Sequence, residues 1–179
     1  MAVNKTYAGR NTSKALPEVP ARLYLIDGSG FIFRAFHSSP LDAFKRSDGV
    51  HTNAVNGYVN MLLKLIDRAR DDGAFDYMAV IFDAARKNFR NDIYPEYKAN
   101  RDEPPEELRP QFALIREATE AFGLPAIQFE GFEADDLIAT YAREAEAQGI
   151  ETVVVSSDKD LMQLVRDRVI MLDPMKDII

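Results

Sequence analysis

Five short apolar runs punctuate this chain, at residues 23–26, 77–82, 126–129, 151–155 and 169–172. Each is bounded by polar or turn-forming residues, which predicts strands buried on both faces. Between them, apolar residues recur at helical spacing. Val55, Tyr58, Val59, Leu62, Leu63, Ile66 and Ala69 form one stripe, after a cap at Thr52 or Asn53 and before Gly73. Leu108, Phe112, Ile115, Thr119 and Phe122 form a second, stopped by Gly123 and Pro125. Leu137, Ile138, Tyr141, Ala142 and Ala145 form a third, ending at Gly149. Shorter helices are predicted to open at Phe31 and at Leu161. Strands alternating with helices predict an α/β fold whose parallel sheet is covered on both faces. Residues 38–51 read as a loop. Residues 84–110 show no clear period, and loops that long in compact domains are usually functional or disordered.

The acidic residues are placed by this pattern. The first, second and fourth predicted strands run into Asp27, Asp83 and the pair Asp158/Asp160. Gly131-Phe-Glu133-Ala-Asp135-Asp136-Leu137 opens the third large helix with three carboxylates in four positions. Taken singly, each acid has the reading of a helix cap. In a parallel α/β sheet, however, ligands bind outside the carboxyl ends of the strands. Seven carboxylates on that edge would raise one another's pKa and destabilise the fold unless a cation compensates. A divalent-metal site fits better than capping. Mg²⁺ takes few carboxylates, so seven acids suggest two ions, the arrangement used for in-line displacement at phosphorus.

Composition narrows the chemistry. The 179 residues include no cysteine and only two histidines, His37 and His51, so a thiolate or His-rich metal site is excluded and oxygen ligands remain. Gly28-Ser-Gly30 lacks the third glycine of a dinucleotide fingerprint, and there is no Walker A sequence. The net charge of −7 argues against nucleic acid as a sum, but not as a distribution. Residues 86–101 carry five cations (Arg86, Lys87, Arg90, Lys98, Arg101) against two acids (Asp92, Glu96), a local net of +3, with Phe89, Tyr94 and Tyr97 interleaved. Cations beside aromatic rings suit a nucleic-acid strand. An ordinary solvated loop is the other reading of that segment. The first twenty residues are polar, with Pro17 and Pro20 and no apolar signal-peptide core, so a loose tail and a cytoplasmic protein are expected.

Five motifs together resemble a known family. They are Leu25-Ile26-Asp27-Gly28, Ile81-Phe82-Asp83-Ala84, Tyr97-Lys98-x-x-Arg101, Gly131-x-Glu133-Ala134-Asp135-Asp136 and Ser157-Asp158-Lys159-Asp160-Leu161. In order, and over about residues 22–179, they look like the 5′ nuclease domains of bacterial DNA polymerase I, whose wider relatives are the flap endonucleases. The resemblance implies a PIN-like sheet and Mg²⁺-dependent cleavage of DNA or RNA, at a 5′ end or a flap junction, with Mn²⁺ as a possible substitute. It implies that Asp27, Asp83, Glu133, Asp135 and Asp136 surround a first metal and that Asp158 and Asp160 belong to a second. Lys98 and Arg101 match basic residues of a helical arch, here about residues 84–110, that contact the scissile phosphate. Arg34 matches another phosphate contact. Arg86, Lys87, Arg90 and Tyr97 fall in the same nucleic-acid-binding segment. The implied partners are 5′-flap or nicked DNA and RNA primers, for a nucleoid-associated monomer.

The family pattern continues with a helix–turn–helix element and two further aspartates for the second metal, and neither follows Ile179 here. The expectation is therefore a tail over 1–20 and a truncated nuclease domain over 21–179, with an incomplete second metal site and a polymerase region in the parent protein. Two other readings stand beside cleavage. One is a form that binds metal and flap DNA without cutting; the other is a phosphatase or phosphoacceptor domain, which leaves the basic aromatic segment unexplained.

Overall fold

Five parallel strands form one sheet in the order β3-β2-β1-β4-β5. In this computed structural model, residues 20–73 and 75–174 are described, so the expected tail, apart from its last residue, lies outside them. The strands are β1 (Arg22–Asp27), β2 (Tyr77–Ile81), β3 (Ala126–Ile127), β4 (Glu151–Val155) and β5 (Val169–Leu172). The helices are α1 (Gly28–His37), α2 (Asn53–Asp71), α3 (Phe89–Ile93), α4 (Arg109–Ala121) and α5 (Ala134–Ala147).

Side-chain alternation along the strands divides the core in two. Tyr24, Ile26, Met78, Val80, Phe82, Val153 and Val155 face one side and pack with α1, α2 and α4 through Phe31, Ile32, Tyr58, Leu62, Leu108 and Ile115. Leu25, Ala79, Ile81 and Val154 face the other and pack with α5 through Ala134, Ile138 and Ala142. Leu161 and Leu164, on a 3-10 turn over Lys159–Leu164, complete that second core. The parallel sheet with helices on both faces follows the expectation from the sequence.

Three differences from the expected elements bear on the site. Helix α1 starts at Gly28 rather than Phe31, because Asp27 caps it: its Oδ1 accepts the Gly30 N–H at 3.1 Å. The segment without a period contains α3, a single turn too short to register as one. Asn88 starts that turn, accepting the Arg90 N–H at 2.9 Å, while its own N–H donates to Asn91 Oδ1 at 3.0 Å. After β4 the chain forms a 3-10 turn, begun by Asp158, whose Oδ1 accepts the Asp160 N–H at 2.9 Å.

Candidate active site

From β1 the chain proceeds to β2 and β3 on one side, then returns to place β4 on the other side of β1. The crevice between the carboxyl ends of β1 and β4 is therefore the topological switch point of the sheet. Asp27 is the last residue of β1, and Ser156 is the first after β4. Asp83 follows β2, and Asp135 comes in on the first turn of α5. Asp27, Asp83, Asp135 and Asp158 line one cavity of about 350 Å³, with Glu133, Ser29, Phe33, Lys98 and Arg101 among its other walls.

Asp27 and Asp83 are held by specific donors. Asp27 is buried, and its Oδ2 accepts from Ser156 Oγ at 2.8 Å. Asp83 accepts from Ser29 Oγ at 2.7 Å and from the Ala134 N–H at 2.8 Å, which ties the end of β2 to the starts of α1 and α5. Burial pushes Asp27 above the usual carboxylate range, against the hydrogen bonds from Gly30 and Ser156, and Asp83 and Asp158 add to the push. Asp135 is pushed up to about 6, by burial first and then by Asp27, Asp158 and Asp83. Asp27 and Asp135 thus feel the charge of neighbouring cavity aspartates.

The donors are all hard oxygens, which fits a divalent cation such as Mg²⁺ or Mn²⁺. Among the described residues, no group of three or more acidic side chains is already placed to hold one ion.

The basic segment folds back onto the start of α5. Lys98 Nζ donates to Glu133 Oε1 at 2.6 Å, and Tyr97 OH donates to Glu133 Oε2 at 3.1 Å. Arg90 makes two bonds to Asp136, at 2.8 and 2.6 Å. Asp136 is consequently held below the usual carboxylate range, chiefly by the Arg90 hydrogen bonds. Burial opposes the charge on Lys98, but its hydrogen bonds to Glu133 and Tyr97 outweigh it and raise its pKa. Lys98 is also the one non-glycine residue with positive φ (56°) among the described residues, a backbone conformation that lysine seldom adopts.

A second cavity, of about 400 Å³, adjoins the acidic one and shares Ser29, Phe33, Asp83, Lys98, Arg101 and Glu133 with it. Arg86, Arg116 and Phe112 line its other walls. Phe33 is 43% exposed on the shared wall, with its ring 6.3 Å from that of Phe112. A carboxylate-lined cavity thus shares a wall with one that carries Arg86, Lys98, Arg101 and Arg116 beside phenylalanine rings, along with the acids Asp83, Asp102 and Glu133.

Not every residue singled out from the sequence reaches this place. Asp136 and Asp160 do not line the acidic cavity: Asp136 turns to Arg90, and Asp160 lies exposed on the 3-10 turn. Arg34 lines a separate groove of about 550 Å³ with Asn60, Lys64 and Arg68 of α2. One residue is a rotation of about 100° around a helix, so Phe33 meets the cavity while Arg34 meets α2. Arg86 donates to the Arg101 carbonyl at 2.6 Å, and Lys87 is exposed. Sequence reasoning missed Ser29, Ser156, Phe33 and Arg116. Ser156 directly follows β4 and Ser29 comes two residues after β1, and those positions were the available signal.

Comparison with known proteins places this geometry. Residues 22–179 match the family described as 5′-3′ exonuclease, N-terminal resolvase-like domain. DNA polymerase I of Rhizobium leguminosarum is 61% identical over 158 residues, which are 87% of this chain and 16% of that protein. A 5′-3′ exonuclease of Aquifex aeolicus is 39% identical over 155 residues, 87% of this chain and 52% of that protein. The chain therefore spans about a sixth of the polymerase and about half of the exonuclease. Among solved structures, the flap endonuclease of bacteriophage T5, in a complex with DNA and metal ions, matches with a TM-score of 0.62 and 26% identity, over 84% of this chain and 54% of that one. With the acids at the switch point and 158 residues matched in family order, the chain belongs to the 5′-3′ exonuclease N-terminal domain family, as found in DNA polymerase I.

Proposed function

We propose that this chain is the part of a 5′ nuclease that recognises a 5′ end or flap of DNA and hydrolyses a phosphodiester bond there with the help of divalent cations. The observation that carries the proposal is the shared wall between the acidic cavity and the cationic, aromatic one. A strand lying in the second cavity presents its backbone to the first. The polymerase and phage relatives support the same reading, the latter through its DNA and metal ions.

Asp27, Asp83 and Asp135 would hold a first cation and Asp158 would serve a second. Mg²⁺ is the natural ion and Mn²⁺ a substitute, and their contribution when bound is Lewis-acid activation at phosphorus. The protein's own residues do the rest. Lys98 and Arg101, on the wall common to both cavities, bind the phosphate and stabilise the charge that builds on it. Phe33 offers a ring for a base beside that phosphate. Glu133 holds Lys98 in place and exchanges it for phosphate as substrate enters. RNA primers are included as substrates, as the resemblance to the 5′ nuclease domains implies. The protein works as a monomer on bacterial DNA in the cytoplasm, within a longer polymerase.

The test is release of product from a 5′-labelled flap in Mg²⁺ or Mn²⁺, with EDTA as control. Cleavage that depends on the ion and disappears in Asp27→Asn and Asp135→Asn supports the proposal. Undiminished cleavage by a folded Asp135→Asn variant, or hydrolysis of phosphomonoesters in place of flaps, would overturn it.

A further inference from the structure

Arg90 and Asp136 stand outside the acidic cavity and form an ion pair, with Glu133 Oε2 also 3.6 Å from Arg90 Nη1. Arg90 Nη1 donates to Asp136 Oδ2 at 2.8 Å, and Nη2 donates to Oδ1 at 2.6 Å. Two-pronged guanidinium–carboxylate bonding fixes direction as well as distance. The guanidinium also lies 4.6 Å from the Phe89 ring centre and 5.8 Å from that of Tyr97. Asp136 Oδ2 is engaged a second time, by the Glu133 N–H at 3.0 Å. Neither side chain lines the acidic cavity.

The pair sits at a mechanical junction. The Phe89 N–H donates to the Gly131 carbonyl at 2.9 Å, so the start of α3 is stitched to the turn before α5. Glu133 is the cap of α5, Ala134 bonds Asp83, and Asp135 is the cavity acid next to Asp136. We infer that Arg90 and Asp136 are positioning residues, whose pair locks the first turn of α5 against α3 and so holds Asp135 in the cavity, while neither touches metal or nucleic acid. The assignment of Asp135 to a metal rests on the proposed nuclease reading; the locking pair does not.

Two other roles give opposite signatures. If Asp136 is a metal ligand, removing Arg90 frees it and tightens metal binding. If Arg90 contacts the strand, removing it weakens nucleic-acid binding and leaves metal binding alone. The experiment uses Arg90→Met, Arg90→Lys, Asp136→Asn and the Arg90→Met/Asp136→Asn double variant of this chain. Urea denaturation in EDTA reads the pair, and Mn²⁺ titration followed by the free-ion EPR signal reads the cavity.

Both single variants are expected to lower the urea midpoint, with the double variant no less stable than the worse single one, because one interaction is lost only once. Both are expected to weaken Mn²⁺ binding by a similar factor, on the order of tenfold, as outer supports of a metal site do. Arg90→Lys keeps the charge without the fork and should fall between, and it carries the comparison if Arg90→Met does not fold. Additive losses in urea would overturn the pair. Tighter Mn²⁺ binding in Arg90→Met, with none in Asp136→Asn, would make Asp136 a ligand. Unchanged Mn²⁺ binding together with a loss of single-stranded oligonucleotide affinity would make Arg90 a strand contact. Absence of Mn²⁺ binding in the unmodified chain would defeat the metal reading, and with it the assignment of Asp135, while leaving the urea test of the pair intact.

Discussion

The Ser156 hydroxyl donates to the buried Asp27 carboxylate at 2.8 Å, joining the carboxyl ends of β4 and β1 across the switch point. The same oxygen accepts the Asp158 N–H at 3.0 Å, so one hydroxyl orients two of the four cavity aspartates. Ser156→Ala leaves Asp27 with the Gly30 N–H as its remaining donor in the structure. The loss should be about 1–3 kcal/mol at pH 7 in EDTA, read from urea denaturation. Without that donor the Asp27 pKa rises further, so the deficit should shrink as pH falls through the raised Asp27 value and the carboxyl takes up its proton. A deficit independent of pH would mean that Ser156 matters only as packing.

The cavity acids and the Arg90 pair respond to pH in opposite directions. Asp27 and Asp135 are raised above their ordinary value of 3.8, Asp135 to about 6. The stability they contribute is complete below that ordinary value and is lost as pH rises through the folded values. Asp136 is lowered, so its contribution is present above 3.8 and is lost as pH falls through its depressed value. Without metal, Tm should therefore peak between these windows and fall from pH 5 to pH 7. Millimolar Mg²⁺ should restore Tm more at pH 7 than at pH 5, since the ion binds the deprotonated folded state. Asp135→Asn should flatten the metal-free slope. A metal-free Tm that climbs from pH 5 to 7 would contradict the clustering of these acids.

Lys98 borders both cavities and stays charged at neutral pH through Glu133 and Tyr97. Its left-handed backbone aims the side chain at the start of α5. Under the proposed function, Lys98→Met should slow single-turnover flap cleavage by about 10²–10³-fold, the loss typical of one transition-state donor. Flap affinity measured in Ca²⁺ should change far less. An affinity loss as large as the rate loss would make Lys98 a uniform binding contact instead.

The acids at strand ends are legible in the sequence because local patterning fixes where a strand stops and which edge its end reaches. Asp27, Asp83 and Asp158 needed no knowledge of distant contacts. The partners of Glu133 and Asp136 were not legible, because Lys98 and Arg90 stand 35 and 46 residues away, on a segment whose path depends on the tertiary fold. Gly28 reads as half of a weak nucleotide motif. In the structure, a Cβ there would stand 2.4 Å from the Phe82 ring, so the residue is small because β2 passes close by. The edge strand β3 keeps only Ala126–Ile127 of the four apolar or half-apolar positions, since Phe129 is exposed beyond the last pairing with β2.

The cap of α2 shows the same limit and yields the last prediction. Sequence points to Thr52 or Asn53, yet Thr52 makes no side-chain cap bond. Gln111, fully buried on α4, does the work from across the core: its Oε1 accepts the N–H groups of Ala54 at 2.8 Å and Val55 at 3.2 Å. Its Nε2 donates to Asn53 Oδ1 and to the Glu107 carbonyl, both at 3.0 Å, and Asn53 Nδ2 donates to the Phe36 carbonyl at 2.9 Å. Two amides, Gln111 and Asn53, thus couple α4, α2 and α1. Gln111→Leu keeps the volume but strands two helix-start N–H groups and the Asn53 oxygen. Each stranded group costs about 1–3 kcal/mol, so the variant should lose several kcal/mol or fail to fold. Gln111→Glu, which keeps the acceptor and loses the donor, should be less damaging near pH 5 than at pH 8, where its charge is buried without a cation. Urea midpoints at the two pH values check this, and a Gln111→Leu variant as stable as the parent would show that water, not Gln111, satisfies the start of α2.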